Sequence, residues 1–240
     1  MRKDQLFNHG KIASDFRFTA EVAEVFDDML LRSVPNYEQV IEMSVRLLER
    51  FLAPGDRLYD LGCSTGNTLL HLARRLQTPD LRLIGVDNSA AMLDKARRKA
   101  AGYAPGGAIK FIEADIETFN CQNAGAIILN YTMQFIRPLR RPAFTAALYR
   151  ALRPSGILIL SEKIISHDPE LNRHFIDFYL EFKRARGYSE IEISKKREAL
   201  ENVLIPFSLA ENRQMLEQAG FKRVESFFQW FNFASLVAVK

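Results

Sequence analysis

The chain has 240 residues, of which 48% are hydrophobic and 26% charged, and its formal net charge is +4. This length and apolar content suffice for one good core, so we expect a single domain over residues 1–240. The small basic excess permits a nucleic-acid partner without requiring one, and we expect no direct nucleic-acid binding. No apolar run approaches 18 residues, and the start lacks an apolar h-region, which argues against a membrane span and a secretory signal.

The chain contains two cysteines, Cys63 and Cys121. Their spacing does not match a metal site, and two cysteines are too few for a disulfide framework. We therefore expect a cytoplasmic protein with reduced cysteines and no metal site.

The first third of the chain, residues 1–53, is predicted to be an N-terminal helical region. Thr19 can cap a helix over residues 21–31, and Pro35 separates it from a second helix. In that second helix, one stripe with steps of three and four contains Tyr37, Val40, Ile41, Ser44, Leu47, Leu48 and Phe51.

From residue 57 onward, short apolar runs alternate with helical stretches. The predicted strands are residues 58–61, 81–86, 109–112, 126–129 and 157–160. Helical patterns follow the first, second, fourth and fifth of these, which predicts βαβ units around a doubly wound, mostly parallel α/β sheet. Residues 223–229 and 232–239 predict an antiparallel hairpin at the end of the chain.

Residues 165–206 are predicted to form a helical insertion. Its apolar face contains Leu171, Phe175, Phe178 and Phe182. Further along, Ser189 and Glu192 have the spacing of a capping box, which starts a helix. We expect the insertion to be a cover over the sheet ends, a lid or a dimer contact.

The strongest local motif is the glycine loop at residues 60–68, between a predicted strand and a predicted helix. Gly62 allows a tight turn there, and Gly66 allows a close approach of the backbone to a ligand or strand. Asp60, at the strand end, can pair with the ammonium of an amino-acid group. The loop therefore predicts a ligand site at the carboxyl edge of the sheet.

Two further acids follow the next two strands. Asp87 lies about twenty residues past the loop, where a carboxylate typically binds two ribose hydroxyls. Asp115 can accept a hydrogen bond from an adenine amine, and the Ile116 amide can face a ring nitrogen. Together with Asp60, these residues favour a site for S-adenosylmethionine (SAM).

Three other interpretations of the loop compete with a SAM site. Residues 62–66 match the Gly-x-Ser-x-Gly nucleophile elbow of α/β-hydrolases, but the late histidines fall within the insertion and not after a final strand. A dinucleotide fingerprint fails because Ser64 and Asn67 replace its second and third glycines. A structural turn without a ligand remains open. Ser64 also occupies a position where SAM-dependent methyltransferases often carry glycine.

The chain resembles class I SAM-dependent methyltransferases in its loop. From about residue 18 to 239 it is more similar to the carboxy-S-adenosyl-L-methionine synthases. The strings that carry this resemblance are residues 32–37 (RSVPNY), 60–64 (DLGCS), 87–89 (DNS), 129–132 (LNYT), 160–163 (LSEK), 196–197 (KR), 200–204 (LENVL) and 231–233 (FNF).

The resemblance implies a reaction of SAM with prephenate that gives carboxy-SAM, phenylpyruvate and water. Prephenate loses its ring carboxylate as CO₂, and the SAM methyl, deprotonated to an ylide, captures it. The leaving hydroxyl acts as the base, so no catalytic side chain is implied. The resemblance also implies a homodimer and a partner enzyme that uses the product to modify wobble uridine in tRNA. The implied binding residues are Tyr37, Gly62, Cys63, Ser64, Asp87, Asn88, Asp115, Ile116, Asn130 and Arg197. Asp60 is added from the general methyltransferase pattern.

Arg197 is the residue with the most specific expectation. Ile193, Arg197, Leu200 and Leu204 follow helical steps, so we predict that Arg197 interrupts an apolar stripe. A guanidinium there suits the carboxylate of carboxy-SAM, which SAM itself lacks at the methyl group. The alternatives are that Arg197 reaches water or pairs with Glu201. The resemblance adds that it acts in a neighbouring subunit.

Other functions remain open at this stage. One is a SAM-dependent methyltransferase for a small molecule or tRNA. Another is a non-catalytic SAM-binding partner of a tRNA-modifying enzyme. Tyr37 could equally be a core anchor, and Asn130 a turn residue.

Overall fold

The computed structural model describes residues 3–7, 16–103 and 109–240. These residues form one eight-stranded sheet in the order β3-β2-β1-β4-β5-β8-β7, with the short β6 paired to β5. The strands are β1 (Arg57–Leu61), β2 (Arg82–Asp87), β3 (Ile109–Glu113), β4 (Ala124–Asn130), β5 (Leu152–Ile165), β6 (Phe207–Ser208), β7 (Arg223–Trp230) and β8 (Phe233–Val239). The first five pair in parallel and the β7–β8 hairpin is antiparallel, which confirms the predicted fold class.

Helices cover both faces of this sheet. They are α1 (Ala20–Ser33), α2 (Tyr37–Phe51), α3 (Asn67–Arg75), α4 (Ala90–Tyr103), α5 (Arg141–Ala151), α6 (Pro169–Ala185), α7 (Glu190–Leu200) and α8 (Leu209–Gln218). Short 3₁₀ turns lie at Met133–Phe135 and Pro138–Arg140. None of the helices in the described part combines the length and apolarity that a bilayer crossing needs.

The helix starts follow the side chains that the sequence indicated. Thr19 caps α1 by accepting a hydrogen bond from Val22 N. Ser189 and Glu192 form the predicted capping box of α7. These caps satisfy amide groups that have no partner within the helix, so each fixes where its helix begins.

The central strands place their side chains alternately on two apolar layers. Ile127, Leu129 and Leu158 belong to one core cluster, and Ile128 and Ile159 to the other. All five side chains are fully buried. Because both faces of a parallel sheet are covered, the middle segments of these strands are apolar on both sides.

Two details differ from the sequence prediction. β5 is longer than expected and extends to Ile165, and the two-residue β6 was missed. β6 pairs with the extension of β5 at Ile164 and Ile165. A two-residue strand has too little sequence to show an alternating pattern, so it depends on its tertiary partner.

The start of the described chain is anchored to the turn between α6 and α7. Asp4 is almost fully buried, and its carboxylate accepts a 2.6 Å hydrogen bond from the Tyr188 hydroxyl. The Arg32 guanidinium donates to the backbone oxygens of Asp4, Arg186 and Gly187 at 2.8 to 3.0 Å. Residues far apart in the sequence therefore share one polar network.

Asp56 holds together the edge of the sheet opposite the strand carboxyl ends. Its carboxylate accepts two hydrogen bonds from the Arg153 guanidinium, at 2.6 and 2.8 Å, and one from Ala53 N. Burial acts to raise the pKa of Asp56, but the bonds from Arg153 and Ala53 lower it overall. The stability from this pair is therefore present at neutral pH and is lost as the pH falls below the ordinary carboxylate range.

We expect Asp56→Ala to lower the free energy of unfolding by about 2 kcal/mol at pH 7, because Arg153 keeps a partly buried charge without a partner. Urea unfolding at several pH values measures this. Asp94→Ala breaks an exposed ion pair with Arg97 and is expected to cost less than about 0.5 kcal/mol. An Asp56→Ala effect that does not shrink below pH 3.8 would contradict this assignment.

Candidate active site

A cavity of about 310 Å³ opens at the carboxyl ends of the parallel strands. Its volume lies in the range of small-molecule sites. The predicted binding residues that line it are Tyr37, Asp60, Gly62, Cys63, Ser64, Asp87, Asn88, Asp115, Ile116 and Asn130. Arg197 does not line it. The loop and the strand ends thus meet at one edge, as the alternation of strands and helices indicated.

The glycine loop forms a tight floor of this cavity. Gly62 has φ of +76°, and a Cβ there would lie 2.5 Å from the Thr132 side chain. Ser64 also has a positive φ, 52°, and its amide donates to the Asp87 carboxylate at 2.8 Å. A side chain at Gly62 would push the loop away from Thr132, so the glycine is required by space as well as by φ.

Two buried oxygens at the strand ends have no hydrogen-bond partner among the described residues. They are Asp60 Oδ2 and Asn130 Oδ1, and both residues line the cavity. Burial, together with the nearby Asp87, raises the pKa of Asp60 to about 7. Buried polar atoms are rarely left unpaired, so these two oxygens indicate a ligand that donates hydrogen bonds. The ammonium of an amino acid fits both oxygens.

Asp87 and Asp115 continue the acidic edge. The two Asp87 oxygens accept bonds from the amides of Ser64 and Ser89, at 2.8 and 2.9 Å. A carboxylate has about four acceptor sites, so Asp87 can still accept from ribose hydroxyls. Asp115 is exposed at the rim, where its side chain accepts from Glu117 N. All three acids line the cavity, and their assignment to the amino-acid, ribose and adenine parts of SAM stays a prediction.

Tyr37 and Cys63 are buried wall residues. Tyr37 begins α2, and its ring centroid lies 6.4 Å from that of Tyr131. Burial raises the pKa of both the Tyr37 hydroxyl and the Cys63 thiol. Neither group is ionised at neutral pH, so their contribution is shape and hydrogen bonding and not charge.

Three lysines in the cavity wall were not among the predicted site residues, although the lysines and arginines of the insertion were candidates for binding prephenate by their charge alone. Lys163 extends from β5, Lys183 from α6 and Lys196 from α7. Lys163 comes directly after buried strand residues at the ligand edge, and that position could have identified it. Lys183 lies in a run of basic residues on a helix, which gives no such signal.

The prediction that Arg197 lies on a buried stripe of its own subunit is wrong. The Arg197 side chain is exposed, and the buried positions of α7 are Glu192, Ile193, Lys196 and Ala199. The helix ends at Leu200, so Leu204, which was used to set the helical phase, lies beyond it. The true inward-facing cation is therefore the preceding residue, Lys196.

The nucleophile-elbow interpretation finds no base in this structure. Ser64 Oγ lies 3.6 Å from Met92 Sδ. The histidines that follow Ser64 in the chain are all described, and none of them lines the cavity. Ser64 therefore lacks the partner that a hydrolytic serine requires.

Solved structures that share this fold include methyltransferases. A putative SAM-dependent methyltransferase from Methanococcus maripaludis matches with a TM-score of 0.64 at 17% identity, covering 96% of this chain and 97% of that one. Human N-acetylserotonin methyltransferase in complex with SAM matches with a TM-score of 0.61 at 13% identity, covering 92% and 55%. At these identities the likeness establishes the fold.

Sequence comparison is more specific. A family model described as "Methyltransferase domain" matches residues 58–156. The carboxy-S-adenosyl-L-methionine synthase of Desulfotalea psychrophila is 55% identical, with 100% of this chain and 98% of the relative covered. The synthases of Wolinella succinogenes and Methylococcus capsulatus are 49% and 46% identical, covering 99% and 100% of this chain and 98% and 100% of theirs. These identities over the full length show that the chain belongs to the carboxy-S-adenosyl-L-methionine synthase family.

Proposed function

We propose that this enzyme converts SAM and prephenate into carboxy-SAM, phenylpyruvate and water. The bond between the prephenate ring and its carboxylate breaks, and the electron pair enters the ring as the ring hydroxyl leaves. The leaving hydroxide takes one proton from the sulfonium methyl to give water, and the methyl carbon bonds to the released CO₂. Atoms and charge balance without a side chain acting as the base.

The observation that carries this proposal is the division of one cavity into an acidic and a basic end. Asp60 and Asp87 extend from the β1 and β2 ends, whereas three lysines extend from β5 and the insertion helices. SAM is a cation overall, and prephenate carries two carboxylates. Opposite charges at the two ends favour binding the two substrates side by side in one orientation.

The experiment uses SAM with a trideuterated methyl group and prephenate labelled with ¹³C in its ring carboxylate. We expect a nucleoside that has lost one deuterium and gained the labelled carboxyl group, together with an equal amount of phenylpyruvate. Mass spectrometry of the purified enzyme's reaction checks this. A methylated acceptor with all three deuteriums supports the methyltransferase alternative instead. Turnover by the enzyme alone excludes a non-catalytic partner role.

The proposed assembly is a homodimer in which Arg197 reaches the neighbouring subunit's site. Two features support it: the exposed position of Arg197, and exposed apolar side chains on α6 and the β7–β8 turn. Those side chains are Leu171, Ile176, Phe178 and Phe231. In a dimer, a guanidinium on the outside of one subunit can complete the cavity of the other.

We expect Arg197→Ala to weaken carboxy-SAM binding about 10- to 100-fold, because a charge-assisted contact to the new carboxylate is lost. SAM binding should change less than about twofold, since its methyl group carries no anion. Titration calorimetry with both nucleosides measures the contrast. Arg173→Ala, an exposed arginine on α6, serves as the control. Equal losses for the two nucleosides would remove the proposed role of Arg197.

The proposed cellular role is to supply carboxy-SAM to a cytoplasmic enzyme that modifies wobble uridine in tRNA. The acidic cavity edge suits a nucleoside and not a polyanion. The tRNA would therefore contact the partner enzyme and not this one.

A further inference from the structure

The three cavity lysines differ in how their charge is balanced. Lys196 donates to Ser33 Oγ at 2.9 Å and lies 3.8 Å from the Asp4 carboxylate. In the described part of the chain, no carboxylate lies within 4.0 Å of the ammonium of Lys163 or Lys183. Lys183 is nevertheless buried, with an exposed fraction of 6%. These two lysines are cations without a protein counter-ion.

The ammonium groups of Lys163 and Lys183 both lie near the ring of Tyr179. Lys163 Nζ lies 5.1 Å and Lys183 Nζ 4.6 Å from the centroid of the Tyr179 ring. The Tyr179 hydroxyl donates to Ser33 O at 2.9 Å, which fixes the ring. A cation–π contact offsets only part of the cost of burying an ammonium. The remaining cost is removed when an anion binds.

The absence of a nearby carboxylate also affects the pKa of both lysines. Burial, together with Lys196, Lys163 and Arg197, lowers the pKa of Lys183 to about 7. Burial also lowers the pKa of Lys163. A bound carboxylate would restore the charged forms, so the pair is arranged for an anion from outside the chain.

An aromatic wall runs between the SAM end of the cavity and this basic end. The ring centroids step from Tyr37 to Tyr131 at 6.4 Å, on to Phe233 at 6.1 Å and then to Tyr179 at 5.1 Å. All four residues line the cavity. A flat ring with an anionic side chain can therefore lie along the wall with its charged end on the lysines.

The chemistry decides which carboxylate belongs there. A carboxylate that leaves as CO₂ loses its charge, so a cation bound to it would stabilise the ground state and raise the barrier. A carboxylate that remains through the reaction can be held tightly at no such cost. Resting on the proposed function, we infer that Lys163 and Lys183, whose ammonium groups both lie near the Tyr179 ring, bind the 2-oxo acid carboxylate that prephenate keeps. The ring carboxylate then lies against apolar wall near the SAM methyl.

The test uses Lys163→Met and Lys183→Met, with Lys195→Met as the matched control. Lys195 is a half-exposed residue of α7 outside the cavity. We expect each cavity variant to raise the KM for prephenate about 10- to 100-fold at saturating SAM. The Kd for SAM should stay within about twofold in every variant.

Two probes separate the carboxylates on SAM-loaded protein without turnover. Phenylpyruvate has only the side-chain carboxylate, and cyclohexa-2,5-diene-1-carboxylate has only the ring carboxylate. We expect phenylpyruvate binding to weaken by the same factor as the prephenate KM rises, while the diene carboxylate binds all proteins alike. Because methionine removes a cation that has no protein counter-ion, both cavity variants should unfold at the wild-type temperature or higher.

Several results would overturn the inference. One is equal weakening of both probes, and another is no binding of phenylpyruvate to the SAM-loaded wild type at millimolar concentration. A parallel loss of SAM binding would assign the lysines to the amino-acid carboxylate of SAM. The proposed function fails separately, if the wild type makes no carboxy-SAM while the probe contrast persists.

Discussion

Asp60→Asn is expected to weaken SAM binding about 10- to 100-fold, because the buried carboxylate loses its charge-assisted bond to the ammonium of the ligand. The ligand-free variant should unfold at no lower temperature than the wild type. Asp60 lies near Asp87, and that like charge together with burial disfavours the ionised form. Titration calorimetry and thermal unfolding measure the two effects separately.

The matched control is Asp94→Asn, which makes the same chemical change at an exposed residue of α4 outside the cavity. It should leave SAM binding unchanged. If Asp60→Asn binds SAM as tightly as the wild type, the unpaired Asp60 oxygen does not bind the ammonium of SAM. The assignment of the acidic end would then be wrong at its innermost position.

SAM affinity should also depend on pH through the same residue. The pKa of Asp60 is raised to about 7, so below that pH the ligand must displace a proton before the ammonium can pair with the carboxylate. Affinity should therefore rise with pH, by up to about tenfold per unit below pH 7, and level off above it. In Asp60→Asn this rise should disappear, and its persistence would point to another titrating group.

Glu162→Ala is expected to have the largest effect on stability, about 3–5 kcal/mol. Glu162 is buried at the end of β5, and its two oxygens accept bonds from the amides of Met133 and Gln134, each at 2.9 Å. Alanine leaves both buried amides without an acceptor. The 3₁₀ turn that supports one cavity wall would lose its anchor. Urea unfolding at pH 7 measures the loss.

Glu162→Gln keeps one accepting oxygen, so we expect roughly half of the alanine effect. Glu113→Ala, at an exposed position of β3, should change stability by less than about 0.5 kcal/mol. Burial raises the pKa of Glu162 to about 8 despite the bonds from Gln134 and Met133. Its folded-state pKa thus exceeds the unfolded value, so its contribution is full below pH 4.5 and is lost as the pH rises through 8. An alanine effect that grows with pH would contradict this.

The acidic half of the site could be predicted from sequence because its geometry follows from the fold class. In a parallel sheet, carboxyl ends of neighbouring strands share one edge, so residues that follow successive strands meet in space. Asp60 and Asp87 lie in the last two residues of β1 and β2, and Asp115 follows β3. Tyr37 was found through the resemblance and through its position at the start of an amphipathic helix.

The basic half could not be predicted, because helix packing and not local pattern decides it. Lys183 and Arg184 are neighbours in a basic run, yet only Lys183 is buried. On α7, one step along the chain turns a side chain by about 100°. That step distinguishes the buried Lys196 from the exposed Arg197. Without the helix end at Leu200, the phase of that stripe could not be set correctly.

The network around Asp4 has a consequence for how the protein is made. Asp4 and its partner Tyr188 are separated by 184 positions in the chain. On a ribosome, the first residues therefore wait until most of the polypeptide has emerged before their contacts exist. Strands β1 to β5 are made before the insertion, whereas β8, which pairs with β5 inside the sheet, is made after it. Because Lys196 lies in the insertion and Phe233 in β8, the cavity wall is complete only after nearly all of the chain has been made.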